Sequence, residues 1–117
     1  MFPVSSQSRF YLYGSPADMR KSFDGLSGLV TNQMKADPLN GSVYLFVNRV
    51  RNRLKMLVWD AGGFWLLCKR LEQGRFQLPE AGQHELDYHT LLMLINGVDY
   101  TQIKRKKRYK KMEKELS

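Results

Sequence analysis

The sequence predicts an α+β fold: a small antiparallel β-meander of four to five strands packed against a helix in the N-terminal half, followed by a second short helix and a basic C-terminal tail. Three observations carry this. Apolar residues recur at helical spacing as far as Met34, then change to a strand-like pattern from Ser42 to Leu78. The strand-like segments follow one another through connections of a few residues, too short for the crossover that parallel neighbours need, so they pair antiparallel. Charge, finally, collects at one end of the chain. Residues 1–103 hold 11 Lys+Arg against 9 Asp+Glu, whereas residues 104–117 hold 8 against 2.

Taken in order, "RFYLY" (Arg9–Tyr13) reads as a short strand ended by Gly14. The segment "SPADMRKSFDGLSGLVTNQM" then carries helix-start signals. Ser15 is a candidate cap, Pro16 suits a first turn, and Asp18 falls where an acid complements the helix dipole. Met19, Phe23, Leu26, Val30 and Met34 form the apolar stripe, and Asp24 follows Arg20 at the spacing of a helix-surface ion pair. Gly25 and Gly28 within the stripe suggest either a close approach by another element or a break. Asp37, Pro38, Asn40 and Gly41 end the segment.

"SVYLFVN", "RLKMLVWD", "FWLLCKRL" and "GRFQLP" are the four candidate strands of the meander, with Phe46, Trp59 and Phe64 as its candidate core. "DAGG" (Asp60–Gly63) is a hairpin signal, because glycine accepts the positive φ of tight turns, and "EQG" (Glu72–Gly74) closes the next connection. In "DYHTLLMLINGV", Asp87 is a candidate N-cap and Gly97 the candidate terminator of the second helix. Residues 1–103 make one domain, and the tail from Lys104 has too few apolar positions to pack alone, so it is expected to be mobile, or helical when bound.

Composition excludes several classes. No apolar run approaches the ~18 residues of a membrane span, and "MFPVSSQSRF" lacks the layout of a signal peptide, so a cytoplasmic protein without a membrane partner is expected. Cys68 has no second cysteine to pair with, and its setting in "FWLLCK" suggests a buried, inert thiol. His84 and His89 are spaced by five, not four, and Asp87 as a helix start places them on different elements, so no metal or other cofactor is expected. The acids are scattered over a helix start, turns and loops rather than gathered for two-metal chemistry, and neither a phosphate-binding glycine loop nor a nucleophile elbow is present. No catalytic residue is expected.

What remains is cationic. "NRVRNRLK" places Arg49, Arg51, Arg53 and Lys55 between two apolar strands that need a reversal between them, so these side chains fan from a hairpin tip. Lys69, Arg70 and Arg75 join them around the ends of the meander, and the tail adds Lys104, Arg105, Lys106, Lys107, Arg108, Lys110 and Lys111. Such a set suits phosphate contacts, although for the hairpin ordinary solvation remains open beside it. Trp59 and Trp65 read as core more readily than as stacking platforms.

"DMRKSFDGL", "YLFVNRVRNRLKMLVWDAGGFWLLCKRLEQGRF" and "LLMLINGVDY" together resemble the accessory protein TnpB, the second reading frame of bacterial insertion sequences of the insertion-sequence-66 type. The resemblance covers roughly residues 9–103. Its pattern falls on Asp18, Met19, Arg20, Gly25 and Leu26, on Asn48, Arg49, Arg51, Arg53 and Lys55, on Trp59, Asp60, Gly63 and Phe64, and on Lys69, Arg70, Leu71, Gly74, Arg75 and Phe76. Val50 departs from it, since members often carry a basic residue there, and the tail after Ile103 lies outside it. The resemblance implies a role in transposition beside a separate transposase and another accessory protein, and it supplies no catalytic residues. The leading expectation is therefore a non-catalytic factor that holds DNA through hairpin and tail. If six cations engage, log K falls with log[salt] at a slope of about −5. The rival is a module that docks on the transposase without touching DNA, with Asp18, Arg20 and Trp65 as its candidate contacts.

Overall fold

The computed structural model describes residues 3–79 and 84–97. Five strands, β1 (Phe10–Leu12), β2 (Val43–Val47), β3 (Arg53–Asp60), β4 (Gly63–Arg70) and β5 (Glu85–Leu86), form one sheet with the spatial order β4-β3-β2-β1-β5. Helices α1 (Phe23–Asn32) and α2 (Tyr88–Asn96) complete the α+β arrangement.

The antiparallel meander runs through β2, β3 and β4 as the sequence predicts. At the β3–β4 turn, Ala61 and Gly62 both take positive φ, 48° and 85°, the geometry of a two-residue hairpin turn. The rest of the sheet departs from a simple meander. β1 pairs parallel to β2, Phe10 opposite Val43 and Leu12 opposite Leu45. The long connection that contains α1 makes this possible, because it is a crossover rather than a turn. "GRFQLP" is not a strand. After the bend at Gly74 (φ 79°) the chain turns back over the β2–β3 loop, where Phe76 donates its N–H to the Arg51 carbonyl at 2.7 Å and buries its ring completely. The fifth strand is instead the two-residue β5, antiparallel to β1.

Helix α1 starts later than the capping signals suggest. The Ala17 N–H is bonded to the Val47 carbonyl at 2.9 Å, which holds this stretch against the sheet. Asp18 turns its carboxylate onto the N–H and guanidinium of Arg20, a local bond that competes with helix formation. Ser15, Pro16 and Asp18 therefore lie in a loop, Ser22 occupies the N-cap position, and Arg20 pairs with Asp18 rather than with Asp24. Gly25 and Gly28 neither break the helix nor admit another element: a Cβ at Gly25 would meet only the Lys21 side chain, and one at Gly28 would meet nothing within 4 Å. In α2, Asp87 caps as expected, accepting the Thr90 N–H at 2.7 Å, and Gly97 ends the helix at φ 62°.

The sheet has a core on each face. On one, Leu91 and Leu94 of α2, together with Phe76, cover Phe10, Leu45, Leu54 and Val58. On the other, Leu26 and Val30 of α1 cover Tyr44, Phe46 and Leu57. Each such side chain removed from water contributes about 1.5–3 kcal/mol. All five residues of β2 are buried, as its central place requires. Trp59 is only half-buried, edge-on to Phe64 at 5.0 Å. Trp65 is 47% exposed and Cys68 is exposed, so neither belongs to the core that their apolar surroundings suggested. The reason is position, since both sit on β4, at the edge of the sheet.

Candidate nucleic-acid interface

Loop 48–52 joins β2 to β3 and is fixed by its own asparagines. The Asn48 carboxamide oxygen accepts the N–H groups of Asn52 and Arg53, each at 3.0 Å, while its nitrogen donates to the Asn52 oxygen at 2.7 Å. The Arg51 N–H closes the turn onto the Asn48 carbonyl, and Leu71 and Phe76 donate to the carbonyls of Asn52 and Arg51 from outside. The tip is thus a braced turn. Arg51 holds φ at 61°, the left-handed region usually left to glycine or asparagine, at a cost of about 1 kcal/mol. Non-glycine residues kept in such conformations cluster at functional sites.

The structure separates the predicted cations into two kinds. Among the described residues no acceptor engages the guanidinium groups of Arg49, Arg51 or Arg53, all on exposed residues. The other described cations each have a partner. Lys55 donates to the carbonyls of Met19 and Lys21 at 2.8 and 2.7 Å, tying the loop before α1 to β3. Lys69 donates to the Ile95 carbonyl at 2.7 Å, which satisfies an orphan acceptor at the end of α2. Arg70 is paired with Glu72 at 2.9 Å. Arg75 is exposed and has an interaction of its own. Lys104, Arg105, Lys106, Lys107, Arg108, Lys110 and Lys111 lie outside the described residues.

Ladder register decides which cations share a side. Arg53 stands opposite Arg70, and Lys55 opposite Cys68, all on the α1 face, whereas Lys69 points to the α2 face opposite Leu54. Like charges directly opposite destabilise a sheet, and the Glu72 carboxylate, 2.9 Å from Arg70, offsets the Arg53–Arg70 pair. A groove of about 480 Å³ opens there, its walls including Met19, Arg53, Lys55, Cys68, Arg70 and Glu72. Met19 packs against the α1-face core, as its stripe spacing predicts, and also walls this groove, a second role that the sequence pattern did not signal. A larger cavity of about 610 Å³, lined by Tyr11, Tyr13, Met34, Tyr44 and His84 among others, lies away from these cations.

The predicted docking residues are also placed. Asp18 and Arg20 close on each other at 2.7 Å, and this pull takes the Asp18 carboxyl down to about 2. Trp65 lies on the opposite face of the sheet, with its indole N–H on Asp60 at 3.3 Å. They form no common surface. His84 precedes β5 and His89 lies in the first turn of α2, and among the described residues no three metal-ligating side chains gather. Nor is any helix there long and apolar enough to cross a membrane.

Comparison with known proteins adds the lineage. In Sinorhizobium fredii (strain NBRC 101917 / NGR234), an uncharacterized protein called y4jC is 33% identical over 108 residues, spanning 91% of this chain and 92% of its own. A second from the same strain, the uncharacterized protein y4hO, is 32% identical over 102 residues, spanning 86% of this chain and 89% of its own. No solved structure matches the chain. The family model described as IS66 Orf2 like protein matches residues 8–105, which include the braced hairpin, the Asp18–Arg20 loop and both helices. The chain therefore belongs to the IS66 Orf2-like (TnpB) family, accessory proteins whose role is associated with transposition of an insertion sequence.

Proposed function

We propose that this protein is a non-catalytic DNA-holding factor of the transposition machinery, and that the β2–β3 hairpin tip is its primary contact with the DNA backbone. One observation carries the reading: Arg49 and Arg51 project from a turn held by seven hydrogen bonds and Arg53 from the strand residue that follows it, and among the described residues no acceptor engages their guanidinium groups. A rigid cationic tip loses little freedom on meeting phosphates, and guanidinium groups match phosphate oxygens in pairs. Fanned from a turn, they grip backbone and read no base edges, so the contact positions DNA rather than specifying its sequence. Arg70 sits behind them, and the tail cations from Lys104 to Lys111 extend the same polyanion preference. Lys55 and Lys69 serve the fold, which lowers the number of domain cations available to phosphate.

Acids are absent from the tip, and Asp18 is held by Arg20, so no group there is offered for metal-dependent strand cleavage. The exposed Asp18–Arg20 loop and Trp65 are the surfaces on which a docking role toward the transposase or the other accessory protein would rest. Binding of purified full-length chain to labelled duplex DNA across a salt series tests the proposal. A log–log slope steeper than about −3 is expected; absence of binding at low salt, or a slope near zero, overturns it and leaves docking as the function.

A further inference from the structure

Strand β4 ends the sheet on one side, and its turn fixes which backbone groups it offers. Asp60 and Gly63 flank the two-residue turn as ladder partners, so they form a hydrogen-bonded pair, and bonded and non-bonded pairs alternate from there. Gly63, Trp65, Leu67 and Lys69 therefore turn their N–H and C=O groups toward β3, while Phe64, Leu66, Cys68 and Arg70 turn theirs outward. The alternation continues at Leu71, whose N–H reaches the Asn52 carbonyl at 2.8 Å. Among the described residues the outward groups take part in no backbone hydrogen bond. The other edge of the sheet is two residues long, whereas this one runs for eight.

Solvent-facing edges are normally protected by charge, proline or a bulge. Phe64–Cys68 has none of these over five consecutive residues, and Trp65 is 47% exposed beside it. Uncharged, proline-free edges of this composition pair with another strand.

We propose that β4 is the interface of a homodimer, in which the β4 strands of two copies pair antiparallel about a twofold axis normal to the sheet and make one ten-stranded sheet. A second copy is the occupant that fits, because a twofold contact needs a surface complementary to itself. Charge selects the orientation. One end of β4 carries Lys69 and Arg70 with Arg53 behind them, a net positive end even with Glu72 paired to Arg70, and the other end abuts Asp60, whose carboxylate accepts the Trp65 indole N–H at 3.3 Å. Antiparallel pairing lays each cationic end against the Asp60 end of the other copy, whereas parallel pairing would stack the two cationic ends. At about 4.8 Å between strands and about 3.4 Å per residue, the two hairpin tips then lie about 40 Å apart. That is close to the ~34–36 Å between half-sites one helical turn apart on DNA. This spacing rests on the DNA-holding reading above; the dimer does not.

Light scattering on gel-filtered protein, without DNA, tests the dimer. The full-length chain is expected at twice its monomer mass, and Cys68→Pro, which removes an outward N–H and an exposed side chain, is expected at monomer mass with an unchanged circular dichroism spectrum. Hydrogen exchange decides the matter even if that variant fails to fold. The amides of Phe64, Leu66 and Cys68 should be protected in the wild type and lose protection on dilution, while those of Trp65 and Leu67 stay protected throughout. A monomeric wild type, or a dimer whose outward amides exchange freely, overturns the proposal and leaves DNA holding by the hairpin untouched. A dimer that fails to bind DNA overturns only the latter.

Discussion

Removing the three arginines that no described acceptor engages gives the hairpin reading a number. The variant Arg49→Gln, Arg51→Asn, Arg53→Gln keeps polar side chains at the tip, and asparagine is among the residues that accept the left-handed backbone of position 51. Each phosphate neutralised contributes about 0.9 to the slope of log K against log[salt], so loss of three flattens the slope by about 2.7. Over a fourfold rise in salt, the wild type should then weaken about 40-fold more than the variant. Fluorescence anisotropy with a labelled duplex, at five or more salt concentrations, reads this directly. The matching control is Lys55→Met with Lys69→Met, whose ammonium groups are committed to carbonyl oxygens of Met19, Lys21 and Ile95. It removes two positive charges, yet should leave the slope within about one unit of wild type. An unchanged slope in the arginine variant, or equal flattening in the lysine control, refutes the division of the cations into free and structural.

Further outcomes follow from the same geometry. Arg51→Asn alone should raise thermal stability by up to about 1 kcal/mol while weakening DNA binding, a trade measurable by paired melting and anisotropy experiments. Lys55→Met should cost about 2 kcal/mol in denaturant unfolding, because a charged donor to two carbonyls is lost. Phe76→Ala, which empties a fully buried site behind the hairpin, should cost about 4 kcal/mol. The Asp18 carboxyl, pulled from 3.8 to about 2 by Arg20, is depressed in the folded state. Its contribution to the loop is therefore present above its unfolded value and lost as pH falls through about 2. An NMR titration should place it there and move it upward in Arg20→Gln.

The meander was legible because three cues agreed in one stretch: alternation in "RLKMLVWD", glycine in "DAGG", and connections too short for crossovers. The hairpin tip followed from the same logic, and its cations with it. The helix start was misread because Ser15, Pro16 and Asp18 are good capping residues anywhere; only the bond from Ala17 to Val47, across the fold, shows that the backbone is spoken for. Two or three residues carry no period, so the parallel pairing of β1 and the existence of β5 left no trace in the pattern. "GRFQLP" does alternate, yet its Phe76 N–H goes to the tip of another hairpin rather than to a neighbouring strand. For the candidate site the limit was similar. Charge is visible residue by residue, but whether an ammonium faces solvent or a carbonyl depends on partners 26 to 36 residues away, as at Lys69 and Lys55. Register also put Lys69 and Arg70, neighbours in the chain, on opposite faces.

Contact between the hairpin tip and DNA is tested most directly by photo-crosslinking from Val50, which is 55% exposed between Arg49 and Arg51. With Cys68 replaced by Ser, a photoreactive group attached at Val50→Cys should crosslink to duplex DNA at low salt, and the same group at Thr31→Cys on α1 should not. Equal crosslinking from both positions, or none from Val50, would contradict DNA holding by this tip.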